Sequence, residues 1–327
     1  MDHVQFPYRS RSHLALLHVV AESGSWAKHG LEVDYNRYIS SDDSHRDLPT
    51  GAVEFVGGNH VSTYAHRARG DKWLYLGQTV NSVNQSLCAR PDSDIFGLQD
   101  LRGKKFVSGG SHPSLNDWLF LKQRGLDVDH DDYEMINTVQ MKAGSMDAEP
   151  APGGVERMAK WEWVKTGKAD ACFLTPLSAA VARKNGMRVV ELEPLPMINF
   201  TTISTSPGFV EKHPDIVDRF IKGLLEGIAY FKTQPEASKR LIKVSGMAGR
   251  KPLDDEMADI VYGELSRIVE PRLYPSMEAV ANVYQEAVRQ HADAKKVSPL
   301  SLWDLHHIRK IDDSGFIDKL YGKRNAP

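Results

Sequence analysis

Two segments of the chain repeat one pattern, and that pattern restricts the fold more than any other feature. The first is Val53-Glu-Phe-Val-Gly57-Gly58-Asn59-His60-Val-Ser62-Thr63-Tyr64. The second is Lys105-Phe-Val-Ser-Gly109-Gly110-Ser111-His112-Pro-Ser114-Leu-Asn116. Each reads as a strand, a Gly-Gly turn, a small polar residue, a histidine and a helix start. Glycines let backbone approach a ligand closely, and the N–H groups of a helix start attract an anion. In open α/β sheets, ligands lie at the carboxyl ends of strands. The echo therefore predicts two α/β units, each presenting one ligand loop. The bland alternative is a pair of ordinary turns with capping residues.

The rest of the chain fits that frame. Short apolar runs alternate with helical patterns, which predicts an α/β class with mainly parallel sheets. Strands are expected at residues 3–8, 31–35, 52–56, 74–76 and 83–90, with a helix over 12–29. Pro91-Asp-Ser-Asp closes the first unit as a polar turn. The second unit should hold strands near 104–108, 134–137, 169–174 and 187–192, and helices over 114–124 and 176–184. From Asp215 onward the pattern is largely helical.

Composition narrows the partners. Lys and Arg total 41 against 43 Asp and Glu, a net charge of −2. A chain so balanced lacks the basic footprint of a nucleic-acid binder or a polybasic membrane-surface protein. No run reaches the roughly 18 apolar residues of a membrane span. Cys88 and Cys172 are the two cysteines. They form no CxxC pair, so they are either buried thiols or one long-range disulfide. No HExxH, Walker loop or GxGxxG occurs, and His306 and His307 are adjacent, so neither a metal nor another cofactor is expected. The opening Met-Asp-His-Val-Gln-Phe-Pro-Tyr has no signal-peptide pattern. The expectation is a cytoplasmic protein, or a periplasmic one whose signal peptide was removed.

The candidate site residues come from the loops. Tyr8, Arg9, Ser10, Ser12 and His13 lie between the first strand and the first helix, where Ser10 or Ser12 is either a cap or a ligand contact. Gly57, Gly58, Asn59 and His60 belong to the first Gly-Gly turn. His60 and Tyr64 are four positions apart, which would put both on one helix face. Arg67 and Arg69 either anchor an anion or form the solvated end of that helix. His45 follows the strand 31–35 in a loop that would bring it to the same place.

Four stretches resemble the nitrate/taurine/sulfonate solute-binding family. They are Ala21-Glu-Ser-Gly-Ser-Trp-Ala-Lys-His-Gly-Leu-Glu-Val-Asp, Asp100-Leu-Arg-Gly-Lys-Lys-Phe-Val, Gly167-Lys-Ala-Asp-Ala, and Phe209-Val-Glu-Lys-His-Pro-Asp-Ile-Val-Asp-Arg-Phe. The resemblance implies a type II periplasmic-binding fold: two α/β lobes around a ligand cleft, joined by two crossover strands. Lobe 1 would comprise 1–90 plus 197–327, with lobe 2, 91–196, inserted. It implies ligand contacts from Tyr8–His13, His45, Gly57–Tyr64, Ser111, His112, Asn116 and Thr175.

The same fold resembles that of cytoplasmic enzymes: an aromatic sulfinate desulfinase, hydroxyphthalate-type decarboxylases and the pyrimidine synthase of thiamine biosynthesis. The desulfinase pattern places a nucleophilic cysteine after the first strand and a histidine ahead of the Gly-Gly strand. His45 and Gly57-Gly58 fit; Ser10 and Ser12 stand where the cysteine would be. Two functions follow. One is an enzyme acting on a small, aromatic, carboxylate-type acid, a decarboxylase or a related lyase or hydrolase, with His60, His45 and Ser10 as catalytic candidates. The other is the binding component of an importer, with a permease as partner and a small organic anion as cargo.

Overall fold

The computed structural model describes residues 1–109, 115–130, 132–143, 145, 148–150, 158–245 and 252–322. The chain divides into two compact units, one made of Met1–Ser82 and Pro196–Pro327, the other of Val83–Leu195. No described helix is long and apolar enough to cross a membrane.

In the first unit, Asp2–Gln5 pairs in parallel with Leu31–Asp34. A three-stranded sheet runs in the order Val56–Gly57, Leu195–Thr205, Leu74–Val83. The predicted helix over 12–29 is two helices, Leu14–Glu22 and Ser25–Lys28, because Gly24 takes φ +72° between them. Both pack against the long helix Pro214–Thr233. That helix begins with proline at its first position, where no N–H is needed. It buries Val217, Phe220, Ile221, Leu224, Leu225, Ile228 and Phe231. Phe220 stacks on Phe55 at 4.0 Å and meets Phe6 edge-on at 5.0 Å.

Two glycines of the long helix permit this approach. Gly223 lies against Trp26 and Gly227 against Val20. A Cβ at Gly227 would fall 2.6–2.8 Å from the side chain of the buried Val20. Alanine gains about 0.5–1 kcal/mol of helix propensity there, but overpacking costs about 1–3 kcal/mol. Gly227→Ala is therefore expected to lower the urea midpoint, and an unchanged or raised midpoint would show that the helices can separate without cost.

In the second unit, five strands run in the order Arg188–Glu191, Ser86–Ala89, Ala171–Leu174, Lys105–Ser108, Glu134–Asn137. The last three are mutually parallel, and Ser86–Ala89 is antiparallel to both its neighbours. Residues 83–90, assigned to the first unit from sequence, lie in the second because Ser86–Ala89 is an inner strand of its sheet. That pairing sets Cys88 directly opposite Cys172. Both are buried free thiols. The Cys172 side chain hydrogen-bonds Cys88 and lowers its pKa, whereas burial raises that of Cys172.

Candidate functional site

Three stretches of the first unit meet at Arg9. The Tyr8 N–H donates to the Arg37 carbonyl at 2.8 Å, Ile39 N–H donates to the Tyr8 carbonyl at 3.1 Å, and Arg9 N–H donates to the Gly57 carbonyl at 3.1 Å. The loop after the first strand is thus clamped between residues 37–39 and the Gly-Gly turn. Tyr8 is buried with its ring edge-on to the exposed Tyr38.

The Arg9 guanidinium is held on several sides. Nε donates to Asn59 Oδ1 at 2.7 Å, a second nitrogen donates to the Ile39 carbonyl, and the group lies 5.9 Å from the Tyr38 ring centre. Asn59 is buried at φ +63°, a left-handed conformation that Asn tolerates better than most residues. Its amide donates to Ser44 Oγ. Gly58 takes φ +132°, and a Cβ there would lie 2.7 Å from Arg9 Cγ. The second glycine of the turn is therefore what lets Arg9 cross the backbone.

His60 and His13 flank this cation. His60 Nδ1 lies 2.8 Å from Thr202 Oγ1, on the strand Leu195–Thr205. His13 is buried against Phe200, ring centres 6.3 Å apart. Its pKa is lowered to about 3, by burial first, then by His60 and Arg9, with a Gly57 backbone hydrogen bond opposing. His13 is thus neutral at ordinary pH, in a positive field. Phe200 itself takes φ +56°, rare for a large side chain.

Other sequence candidates fall elsewhere. Ser10 is a cap: its Oγ accepts from Ser12 N–H at 3.4 Å and lies 2.9 Å from Ser12 Oγ. Tyr64 is not on a helix face with His60, because the helix Ser62–Ala68 begins two residues after that histidine. It is wholly buried, and its hydroxyl donates to the Pro299 carbonyl at 3.2 Å, so it packs the core. Arg67 sits in the last turn of that helix, and exposed Arg69 caps its end. Thr175 belongs to the second unit, where its hydroxyl donates to Ser178 Oγ at 3.2 Å. Ser111, His112 and the side chain of Asn116 lie outside the described residues.

His45 is on a helix, Ser41–Thr50, and not in a loop. Ser40 caps that helix by accepting from Asp43 N–H at 3.0 Å, which is why the Ser-Ser-Asp-Asp run is helical. His45 Nε2 lies 2.8 Å from Ser62 Oγ, and its ring stacks on His66 at 3.6 Å with planes 4° apart. Burial, then His66 and Arg9, lower its pKa to about 2. His66 Nδ1 lies 2.6 Å from an Asp71 carboxylate oxygen. Ligating atoms of His45, His66 and Asp71 come within 4.8 Å of one another. Two parallel stacked imidazoles cannot aim in-plane lone pairs at one ion, so this group does not fit a shared metal without turning a ring.

The buried neutral histidines set a pH dependence. Unfolded, His13 and His45 titrate near 6.5; folded, they stay neutral down to about 3 and about 2. The unfolded chain therefore binds more protons below pH 6.5, and stability falls as pH falls. His18 and His291, lowered by burial, act with the same sign. Between pH 6.5 and 5.0 the loss should reach about 2–4 kcal/mol. Urea unfolding at both pH values checks this, and a His13→Asn, His45→Asn double variant should show a shallower slope.

Thr202, Gln78, Phe200 and Ser44 are not singled out by the sequence. The only signal was the hydroxyl-rich run Phe200-Thr-Thr-Ile-Ser-Thr-Ser. What the group offers together is a fixed cation, two histidines and strand-end amide and hydroxyl groups, an arrangement suited to a small anion with a transferable proton.

Comparison with known proteins agrees with this reading of the fold. A family model described as NMT1/THI5 like matches residues 12–238. No curated protein matches the chain. Among solved structures, the chain is similar to the putative periplasmic sulfonate-binding protein SsuA of Methylobacillus flagellatus, at 13% identity and TM-score 0.69, covering 100% of this chain and 98% of that one. It is similar to the desulfurization enzyme DSZB, at 15% identity and TM-score 0.61, covering 96% and 99%. A Candida albicans gene product said to exhibit the generic periplasmic binding protein fold matches at 12% identity and TM-score 0.57, covering 95% of each chain. At such identities the likeness shows the fold, a periplasmic-binding-protein fold, which the sequence resemblance had implied.

Proposed function

This chain belongs to the NMT1/THI5-like family, and from that premise we propose that it is an enzyme acting on a small, aromatic, carboxylate-type acid. The observation that carries the proposal is His60, tied at Nδ1 to Thr202, in the group built around Arg9 and a histidine kept neutral by burial. A protein that only holds an anion needs donors and positive charge. It does not need an imidazole tethered at one ring nitrogen.

In this reading Arg9 attracts the carboxylate, and His60 acts as general acid–base. Loss of CO2 from an aromatic acid leaves negative charge on the ring carbon. The positive field that depresses His13 would stabilise that charge, and a proton delivered through His60 would quench it. His45, stacked and bonded to Ser62, supports the loop and does not act on the ligand. Cysteine-based sulfinate chemistry is disfavoured, since the chain's two cysteines are buried strand residues of the second unit.

A second reading has its own support. The SsuA structure is that of a putative sulfonate-binding importer component, and Arg9 with Asn59 would suit a sulfonate equally well. Under it the chain binds without turnover and hands its ligand to a permease. Native mass spectrometry of the purified protein identifies the ligand that co-purifies. That compound is then incubated with fresh protein and with His60→Gln. Release of a decarboxylated or hydrolysed product, reduced about 10²–10⁴-fold in the variant, supports the enzyme. Recovery of the compound unchanged from both supports the importer component.

A further inference from the structure

We infer that Gln78 and Thr202 are positioning residues that hold His60 in its Nδ1–H tautomer. The argument runs through one hydroxyl proton. The Gln78 amide nitrogen faces two backbone carbonyls, those of Val80 and Asn199, each at 2.6 Å. Only an N–H can satisfy a carbonyl, so the NH2 end of the amide is assigned there and Oε1 lies on the opposite side. Oε1 is 2.6 Å from Thr202 Oγ1. Two oxygens at that distance need a proton between them, and Oε1 has none to give. Thr202 therefore donates to Gln78. Having spent its one proton, the hydroxyl can only accept from His60 Nδ1, 2.8 Å away.

The relay is built to stay in one state. Gln78 and Thr202 are both wholly buried, so water does not compete for either group. The backbone around Thr202 is fixed as well: its carbonyl accepts from Gly58 N–H at 3.0 Å. Oriented carbonyls thus fix the amide, the amide fixes the hydroxyl, and the hydroxyl fixes the imidazole. Hydrogen-bonding one ring nitrogen in this way decides which nitrogen keeps the lone pair. In the neutral ring that is Nε2. The consequence for chemistry rests on the proposed role of His60: Nε2 is then the atom that takes a proton. An anion without a proton of its own would be opposed by that lone pair until His60 picks one up.

The test reads the tautomer directly and needs neither ligand nor turnover. Two-bond nitrogen–proton correlation spectra of 15N-histidine-labelled protein, recorded at mildly alkaline pH, separate the two neutral forms by their ring-nitrogen shifts. His60→Gln assigns the signal. The wild-type protein should show the Nδ1–H form in about fivefold excess or more. Thr202→Val should reverse the balance towards Nε2–H, the form free histidine favours, and Thr202→Ser should restore it. Gln78→Leu should also weaken the excess, because the threonine hydroxyl is then able to donate to the ring. An Nε2–H ring in the wild-type protein would overturn the inference. So would retention of the Nδ1–H form in Thr202→Val or Gln78→Leu protein whose amide spectrum is native-like. If the excess is found in a protein that leaves its co-purified ligand unchanged, the relay stands and the catalytic reading falls.

Discussion

Gly58→Ala is expected to destabilise the protein by about 2–6 kcal/mol and to abolish tight binding of its ligand. Two independent penalties fall on that one methyl group. Gly58 takes φ +132°, a region L-residues rarely enter, and holding a side chain there costs about 1–3 kcal/mol. The new Cβ would also lie 2.7 Å from Arg9 Cγ and 2.8 Å from Arg9 Cβ. These are the first atoms of the side chain, tied to the backbone, so the far end cannot simply swing away. Arg9 would have to leave Asn59, and the clash adds about 1–3 kcal/mol.

Gly57→Ala provides the internal comparison. Its Cβ would meet Thr201 Cγ2 at 3.2 Å and Phe6 at 3.5 Å, tight but not forbidden, on an extended strand residue. It should cost about 1 kcal/mol and leave Arg9 in place. Urea unfolding gives both stabilities, and calorimetric titration with benzoate gives the effect on binding. Equal, small effects at the two glycines would show that Gly58 is an ordinary turn residue.

This pair of glycines also shows how much the sequence disclosed. Gly-Gly after a strand marks the place where the loop after the first strand crosses the backbone, and Arg9, His13, Asn59 and His60 gather there. The α/β class was legible because the apolar runs are short and the helical patterns strong. What escaped was of two kinds. Some local rules compete: the Ser-Ser-Asp-Asp run has the composition of a loop but is a capped helix start, which puts His45 on a helix. The spacing of four between His60 and Tyr64 matches a helix face, whereas the helix starts at Ser62. The other kind has no local signal at all. His60 and Thr202 stand 142 residues apart, and Gln78 and Thr202 stand 124 apart. Only the sheet that places Leu195–Thr205 between Val56–Gly57 and Leu74–Val83 brings them together. A strand that ends in threonines and serines looks like any other until its neighbours are known.

The second large effect concerns Arg9 itself. Arg9→Gln should weaken binding of an anionic ligand by about 30-fold or more, since hydrogen bonds to charged groups are worth about 1.5–3 kcal/mol each. The loss has two sources that a second variant separates. Arg9→Lys keeps the positive charge but replaces a planar fork by a single ammonium. It cannot serve the Asn59 carboxamide and the Ile39 carbonyl in the geometry that the guanidinium does. If the field alone matters, Lys should retain most of the affinity and its salt dependence. If the fixed fork matters, Lys should behave almost like Gln, and the geometry favours this outcome. His13 gives an internal gauge of the field. Arg9 is one of three influences lowering its pKa, behind burial and His60. In Arg9→Gln the His13 pKa should therefore rise, yet stay below 6.5, because burial is unchanged. A His13 that titrates at its ordinary value in Arg9→Gln would mean that the cation, and not burial, keeps this histidine neutral.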